Sequence, residues 1–246
     1  MRDWQGKRYW LVGASEGLGR ALADVMSRAG IELILSARNE ERLQSLAQDL
    51  PGKTSCLPVD VRDAKSVQAA VERVGEIDGL IYLAGTYWPF SAQDWNAEQA
   101  EVMADVNFTG AVRVIGAAMP GLLERGAGHI VLVGSLSGFR GLPGSIGYSS
   151  SKAGLMHLAE SMHADLRGSG IMVQLANPGF VRTRLTAKND FAMPFLMEPE
   201  DAAMRIFEHM NTDAFKRSFP LLFALFFRLS QFLPDWLYYR IFSPRG

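Results

Sequence analysis

The sequence predicts a doubly wound α/β fold, a mainly parallel sheet of six to seven strands with helices on both faces. Three observations predict it. Short apolar runs alternate with amphipathic helical stretches along most of the chain. The first run leads into glycines at 13, 17 and 19 that open a helix, and a second strand follows within about thirty residues. Gly13, Asp60, Ala84-Gly85, Ser135 and Pro178-Gly179 each follow a predicted strand, so this topology gathers them on one edge of the sheet, where ligands bind in such folds.

The elements follow in order. Lys7 to Val12 suits a buried strand through Tyr9-Trp10-Leu11-Val12. Leu18, Leu22, Val25 and Ala29 give the next stretch a helical face, and Gly30 stops it. Ile31 to Ser36 reads as the second strand. Asn39 to Leu50 reads as a helix, Lys53 to Pro58 as a strand, and Ala64 to Val74 as a helix. Leu80 to Leu83 is a buried strand ending at Ala84-Gly85, before a polar, aromatic loop from Thr86 to Trp95. Ala97 to Leu123 is helical, with a break expected near Asn107. Gly128 to Gly134 is a strand. A Gly/Ser-rich loop leads to a helix that ends near Gly168, and Ile171 to Ala176 is the sixth strand.

Composition narrows the function classes. The 246 residues are 48% hydrophobic and 21% charged, which excludes a disordered or fibrous chain. A net charge of −1 gives no footprint for nucleic acid. Cys56 stands alone and Met1 to Gly6 is short and polar, so a reducing cytoplasm is expected. His129, His157, His163 and His209 lack metal-ligand spacing, and no metal is expected. Without repeats, linkers or low-complexity segments, one domain is expected over residues 1–246, with an apolar tail at 221–242.

Two stretches carry chemistry. The turn Gly13-Ala14-Ser15-Glu16-Gly17-Leu18-Gly19 lets a backbone approach a pyrophosphate closely and directs a helix N-terminus at its charge. Farther on, Tyr148 and Lys152 stand four residues apart, on one face of a helix. An ammonium beside a phenol favours the phenolate, so the pair suits proton exchange with an alcohol or carbonyl.

With these pieces, and with Asp60-Val61, Ala84-Gly85, Asn107, Ser135 thirteen residues before Tyr148, and Pro178-Gly179 with Thr183, the chain resembles the short-chain dehydrogenase/reductases, in their compact single-domain branch with a Rossmann fold. The resemblance runs from about Lys7 to Thr183 and more loosely to Pro220. It implies interconversion of a carbonyl and a secondary alcohol with a nicotinamide cofactor. Tyr148 is then the general acid in reduction and the general base in oxidation. Lys152 lowers its pKa and holds the nicotinamide ribose. Ser135 stabilises the substrate oxygen, and Asn107 supports a water that relays protons from Lys152. The cofactor is expected along Gly13, Ser15, Glu16, Gly17, Leu18, Gly19, Arg38, Asn39, Asp60, Val61, Ala84, Gly85, Tyr148, Lys152, Pro178, Gly179, Val181 and Thr183. Homodimers or homotetramers are implied as well. Two departures stand out. Val12 precedes the first glycine where the family often has Thr, and Leu83 precedes Ala84-Gly85 where it often has Asn; the second predicts a changed support for the glycine turn.

The second strand ends Leu35-Ser36-Ala37-Arg38-Asn39. An acid at position 37 would suit the 2′-hydroxyl of NAD, whereas Arg38 suits the 2′-phosphate of NADP. NADP(H) is therefore expected, with NAD(H) as the alternative and Glu16 weighing towards it. Reduction is the expected direction. Ala187 to Leu196 is expected to form an apolar lid, followed by a helix from Pro199 to about Met210 and a last strand at Phe215 to Pro220. In the tail, Leu222, Phe226, Leu229, Leu233 and Trp236 share a helical face, with arginines and aromatic residues beside them. Three readings stand: packing on the substrate pocket or a partner subunit, a membrane-interface helix, or ordinary core. A lipophilic substrate follows if lid or tail lines the pocket. Competing with the enzyme are a catalytically inactive dinucleotide-binding sensor or scaffold and a membrane-peripheral protein that uses the fold to present its tail.

Overall fold

The computed structural model describes residues 2–242. Seven strands form one parallel sheet: β1 (Arg8–Val12), β2 (Glu32–Ser36), β3 (Thr54–Cys56), β4 (Gly79–Tyr82), β5 (Gly128–Val133), β6 (Ile171–Pro178) and β7 (Lys216–Phe219). Their order is β3-β2-β1-β4-β5-β6-β7. The chain winds outward from β1 to β3 and then returns to place β4 on the other side of β1. That reversal opens a crevice at the carboxyl ends of β1 and β4.

The continuous apolar runs follow from burial on both faces. Tyr9 and Leu11 of β1 point towards α1 (Gly17–Arg28), α2 (Glu40–Asp49) and α7 (Pro199–Met210). Trp10 and Val12 point the other way, towards α3 (Ala64–Val74), α5 (Gly110–Arg125) and α6 (Ile146–Asp165). Polar caps set helix starts. Asn39 accepts from the Arg42 amide at the head of α2, and Asp63 accepts from the Lys65 amide at the head of α3. Asn96 does the same for Gln99 in α4 (Ala97–Ala104).

The helix after β4 corrects one expectation. It does not break at Asn107; α4 runs through a π-helical turn, Asp105–Thr109, into α5. The wider turn leaves the Val106 carbonyl to accept from the Tyr82 hydroxyl at 2.5 Å, and Asn107 is fully buried. β3 is shorter than expected, although the Leu57 and Val59 amides still bond to the Leu35 and Ala37 carbonyls. β6 is longer and ends at Pro178, opposite Phe219. The tail forms two helices, α8 (Leu221–Ser230) and α9 (Asp235–Phe242).

Candidate active site

The predicted edge assembles as expected. Gly13, Ala84 and Ser135 follow β1, β4 and β5, and Gly179 follows β6. Helix α6 carries Tyr148 and Lys152 one turn apart under these strand ends. The Lys152 ammonium, 4% exposed, donates to the Val133 carbonyl at 2.8 Å. A Cβ added at Gly85 would stand 3.8 Å from that nitrogen and 3.5 Å from Asn107 Oδ1. The Ser135 hydroxyl accepts from the Ser137 amide and hydroxyl at 3.2 and 3.0 Å.

Asn107 holds three segments together. Its Oδ1 accepts from the Thr86 amide at 2.7 Å, and its Nδ2 donates to the Thr86 carbonyl and to Ser151 Oγ, both at 3.0 Å. Ser151 Oγ in turn donates to the Tyr148 carbonyl at 2.8 Å. The amide is thus committed to binding the loop after β4 to α6. The Asn107 side chain thereby positions the loop and the helix. Ser151 went unseen in the sequence, because a serine run on a helix gives no sign of which hydroxyl turns inward.

Burial, not Lys152, dominates the Tyr148 hydroxyl. Desolvation pushes its pKa up to about 12, against a smaller lowering by the hydrogen-bonding Ser135 hydroxyl. The Lys152 ammonium lies 5.8 Å from the Tyr148 ring centre. Burial brings its own pKa down to about 8. Tyr148 is a protonated donor across neutral pH.

The glycines let the turn pack closely on the strand ends beside it. A Cβ at Gly13, where φ is +101°, would lie 2.5 Å from the Ala84 amide nitrogen. One at Gly19 would lie 2.0 Å from the Gly13 carbonyl oxygen and 2.7 Å from Leu83 Cδ1. Leu83 supports the turn by this apolar contact, which is the changed support its identity predicts. Glu16 makes no side-chain cap at the head of α1, so the first amides of the helix have no side-chain acceptor there. These features fit a pyrophosphate. Thr183 closes the other side, its Cγ2 lying 3.0 Å from a Cβ built at Gly17.

At the second strand's end, Arg38 is exposed and joins no salt bridge among the described residues. Glu16 accepts from Arg42 at 2.7 Å and from Arg184, so its charge is balanced from α2 and from the segment after β6. A cleft of about 390 Å³ opens there, lined by Ser15, Gly17, Arg20 and Arg42 among others. Asn39 Oδ1 is taken by the α2 cap. Asp60 is gripped by Arg62 through both carboxylate oxygens. The side chains of Val61 and Val181 are buried in the core. Pro178 is likewise buried, and the Gly179 amide donates to the Phe219 carbonyl at 2.8 Å.

Aromatic residues wall the site. Tyr87 meets the Tyr148 ring edge-on at 5.1 Å and donates to Asn189 Oδ1 at 2.9 Å. Lys188 donates to the Tyr87 carbonyl at 2.6 Å and covers the Trp88 ring. The lid segment is thereby tied to the loop after β4. Phe180 packs against Phe191 and Phe223, and Phe195 against Phe223, with centroids 5.6 to 5.9 Å apart. Phe223, Ala224 and Phe227 of α8 bury themselves on Leu136, Phe139, Leu142 and Phe180. The tail therefore packs on the pocket wall, one residue from Ser135. Arg140 fixes it there, donating to the Ser230 and Leu233 carbonyls at 2.8 and 2.7 Å and to Asp235, with its guanidinium 3.8 Å from the Tyr238 ring centre. Tyr87 and Arg140 lie in loops without periodicity, and their partners are distant in sequence.

Comparison with known proteins fits this geometry. The profile of the short chain dehydrogenase family matches residues 7–193. An uncharacterized oxidoreductase of Myxococcus xanthus is 37% identical over 236 residues, covering 93% of each chain. One from Staphylococcus epidermidis is 32% identical over 197 residues, covering 78% of this chain and 86% of its own. Among solved structures, a short chain dehydrogenase from Burkholderia cenocepacia in complex with NADP superposes with a TM-score of 0.88 at 20% identity, covering 99% of this chain and 100% of its own. A short chain dehydrogenase/reductase from Burkholderia phymatum in complex with NAD gives 0.85 at 23% identity, covering 94% of each. At these identities the two structures show the fold.

Proposed function

Since the chain belongs to the short chain dehydrogenase family, we propose that it is an NADP(H)-dependent oxidoreductase that reduces a lipophilic carbonyl compound to a secondary alcohol. The observation that carries this reading is the Tyr148 hydroxyl. It stays protonated through neutral pH, next to Ser135 and one turn from the Lys152 ammonium, at the sheet edge that also holds the close-packed turn of Gly13, Gly17 and Gly19. A bound nicotinamide supplies the hydride to the carbonyl carbon. Tyr148 gives its proton to the carbonyl oxygen as charge develops there, and Ser135 holds that oxygen by a hydrogen bond. Lys152 offsets the charge left on the Tyr148 oxygen, so its protonated form is the active one. Asn107, through Thr86 and Ser151, keeps the loop and α6 in register.

Support for NADP(H) comes from the exposed Arg38, unbridged among the described residues, the absence of an acid at position 37, and the balancing of Glu16 by Arg42 and Arg184. Support for a lipophilic substrate comes from the wall of Tyr87, Phe180, Phe191, Phe195 and Phe223. Oxidation of NADPH and NADH, followed against ketones and aldehydes of increasing apolar length, tests both. Rates at least about tenfold higher with NADPH and a kcat/KM that rises with apolar length are expected. Equal use of NADH, or preference for short polar carbonyls, would contradict the reading.

A further inference from the structure

Helix α8 is apolar on every side, but only one side is used. Phe223, Ala224, Phe227 and Ser230 are buried against the pocket wall. Leu221, Leu222, Leu225, Phe226 and Leu229 are 76, 70, 48, 48 and 55% exposed. At about 100° per residue these five fill an arc of about 140° on the helix face that points away from the protein. The chain continues it through Phe232 (80%) to Trp236 (67%), Tyr239 (54%) and Ile241 (54%) on α9, and Phe226 packs on Phe242 at 5.7 Å to join the two helices. Isolated exposed leucines need no explanation; a contiguous run of this size marks a contact surface.

The residues around the run select its occupant. Arg228 and Arg240 are exposed and form no salt bridge among the described residues. The one acid in residues 221–242 is Asp235, and Arg140 holds it. Trp236 and Tyr239 are the residue types that settle where hydrocarbon meets water. At ten residues, α8 is about 15 Å long, half the thickness of a bilayer core, so it can lie along a membrane and not cross it. The clamp of Arg140 on both helices holds the apolar arc outward as part of the folded body. On its buried face α8 meets the segment beside the site, where Phe180 and Phe195 rest on Phe223, and Phe191 and Phe195 of that segment are themselves 51 and 53% exposed.

We propose that α8 and α9 form a docking surface for an anionic lipid bilayer. The apolar arc enters the acyl boundary and the two free arginines meet lipid phosphates. This inference rests on the tail alone and holds whatever reaction the site performs.

Flotation with vesicles tests it with the full-length protein. Binding to vesicles of phosphatidylcholine with phosphatidylglycerol is expected, weaker on phosphatidylcholine alone, and reduced by high salt. Leu222→Glu with Leu229→Glu should lower vesicle partitioning by at least about tenfold, with the melting temperature and circular dichroism spectrum unchanged. Arg228→Glu with Arg240→Glu should remove the preference for anionic vesicles, about fivefold for each arginine, while leaving the phosphatidylcholine binding. No flotation of the wild type, or flotation undiminished in the leucine double variant, would overturn the proposal. So would sedimentation equilibrium showing that the leucine double variant dissociates a dimer that binds neither vesicle, since the face would then belong to a second copy of the chain.

Discussion

Lys152 Nζ donates to the carbonyl oxygen of Val133 at 2.8 Å, which binds the first turns of α6 to the end of β5 just before Ser135. The contact fixes the ammonium in place, and burial lowers its pKa to about 8. Lys152 therefore titrates well below the ordinary lysine range, whereas Tyr148, pushed up to about 12, does not titrate near neutrality.

A pH profile follows from that ordering. Reduction requires the charged form of Lys152, so kcat/KM should be level from about pH 6 to 7.5 and fall tenfold per unit above about pH 8. Lys152→Arg keeps a charge that does not titrate in this range. Whatever activity it retains should lose the alkaline limb. A profile flat to pH 10 in the wild type would disprove the assignment.

Arg38 should set the cofactor. Arg38→Ala is expected to raise KM for NADPH by about tenfold to a hundredfold, because a charge-assisted phosphate contact is lost. KM for NADH should change less than about twofold. Steady-state kinetics with both cofactors reads the difference.

Gly19 lies where a methyl group cannot. In Gly19→Ala the new Cβ would sit 2.0 Å from the Gly13 carbonyl oxygen, so the turn must shift. A stability loss on the order of 1–3 kcal/mol is expected, together with weaker NADPH binding. Thermal denaturation and fluorescence titration measure the two effects.

His129 predicts how the fold responds to acid. At the opposite edge of the sheet it is buried between the Tyr9 hydroxyl and Gln174 Oε1, each 2.8 Å away. The Gln174 amide nitrogen donates to three carbonyls, so its oxygen accepts from His129 Nε2–H and the Tyr9 hydroxyl donates to Nδ1. Burial lowers the His129 pKa to about 3. A depressed folded pKa means the native state binds fewer protons than the unfolded chain between about pH 3 and 6.5. The stabilisation is complete above pH 6.5 and is lost as pH falls towards 3. Urea unfolding from pH 7.5 to 5 should show stability falling below pH 6.5, with a shallower slope in His129→Gln.

The sheet and the site edge were legible because the signals for them are local. Apolar runs of strand length, glycine turns and helix caps gave most elements to within a few residues, and α3 to the residue. What escaped is set by long-range pairing or by the sense of a turn. Asn107 stands in a helical stretch whose composition does not distinguish a break from a π turn. The charge balance of Glu16 comes from Arg42 and Arg184, far along the chain. Val61 and Val181 stand at the predicted places, but alternation could not tell which way their side chains face. In α8, spacing grouped Leu222, Phe226 and Leu229 on one face, but with apolar residues on the other face too it could not tell that Phe223 and Phe227 are the buried ones.

The central claim is that Tyr148 delivers the proton. The most direct measurement is the rate of NADPH oxidation with a ketone that the wild type reduces, set against Tyr148→Phe, with NADPH binding followed separately by fluorescence. Removing one hydroxyl should lower kcat by about 10²- to 10⁴-fold while the dissociation constant for NADPH stays within about twofold. A Tyr148→Phe enzyme that binds NADPH and retains wild-type kcat would contradict the account.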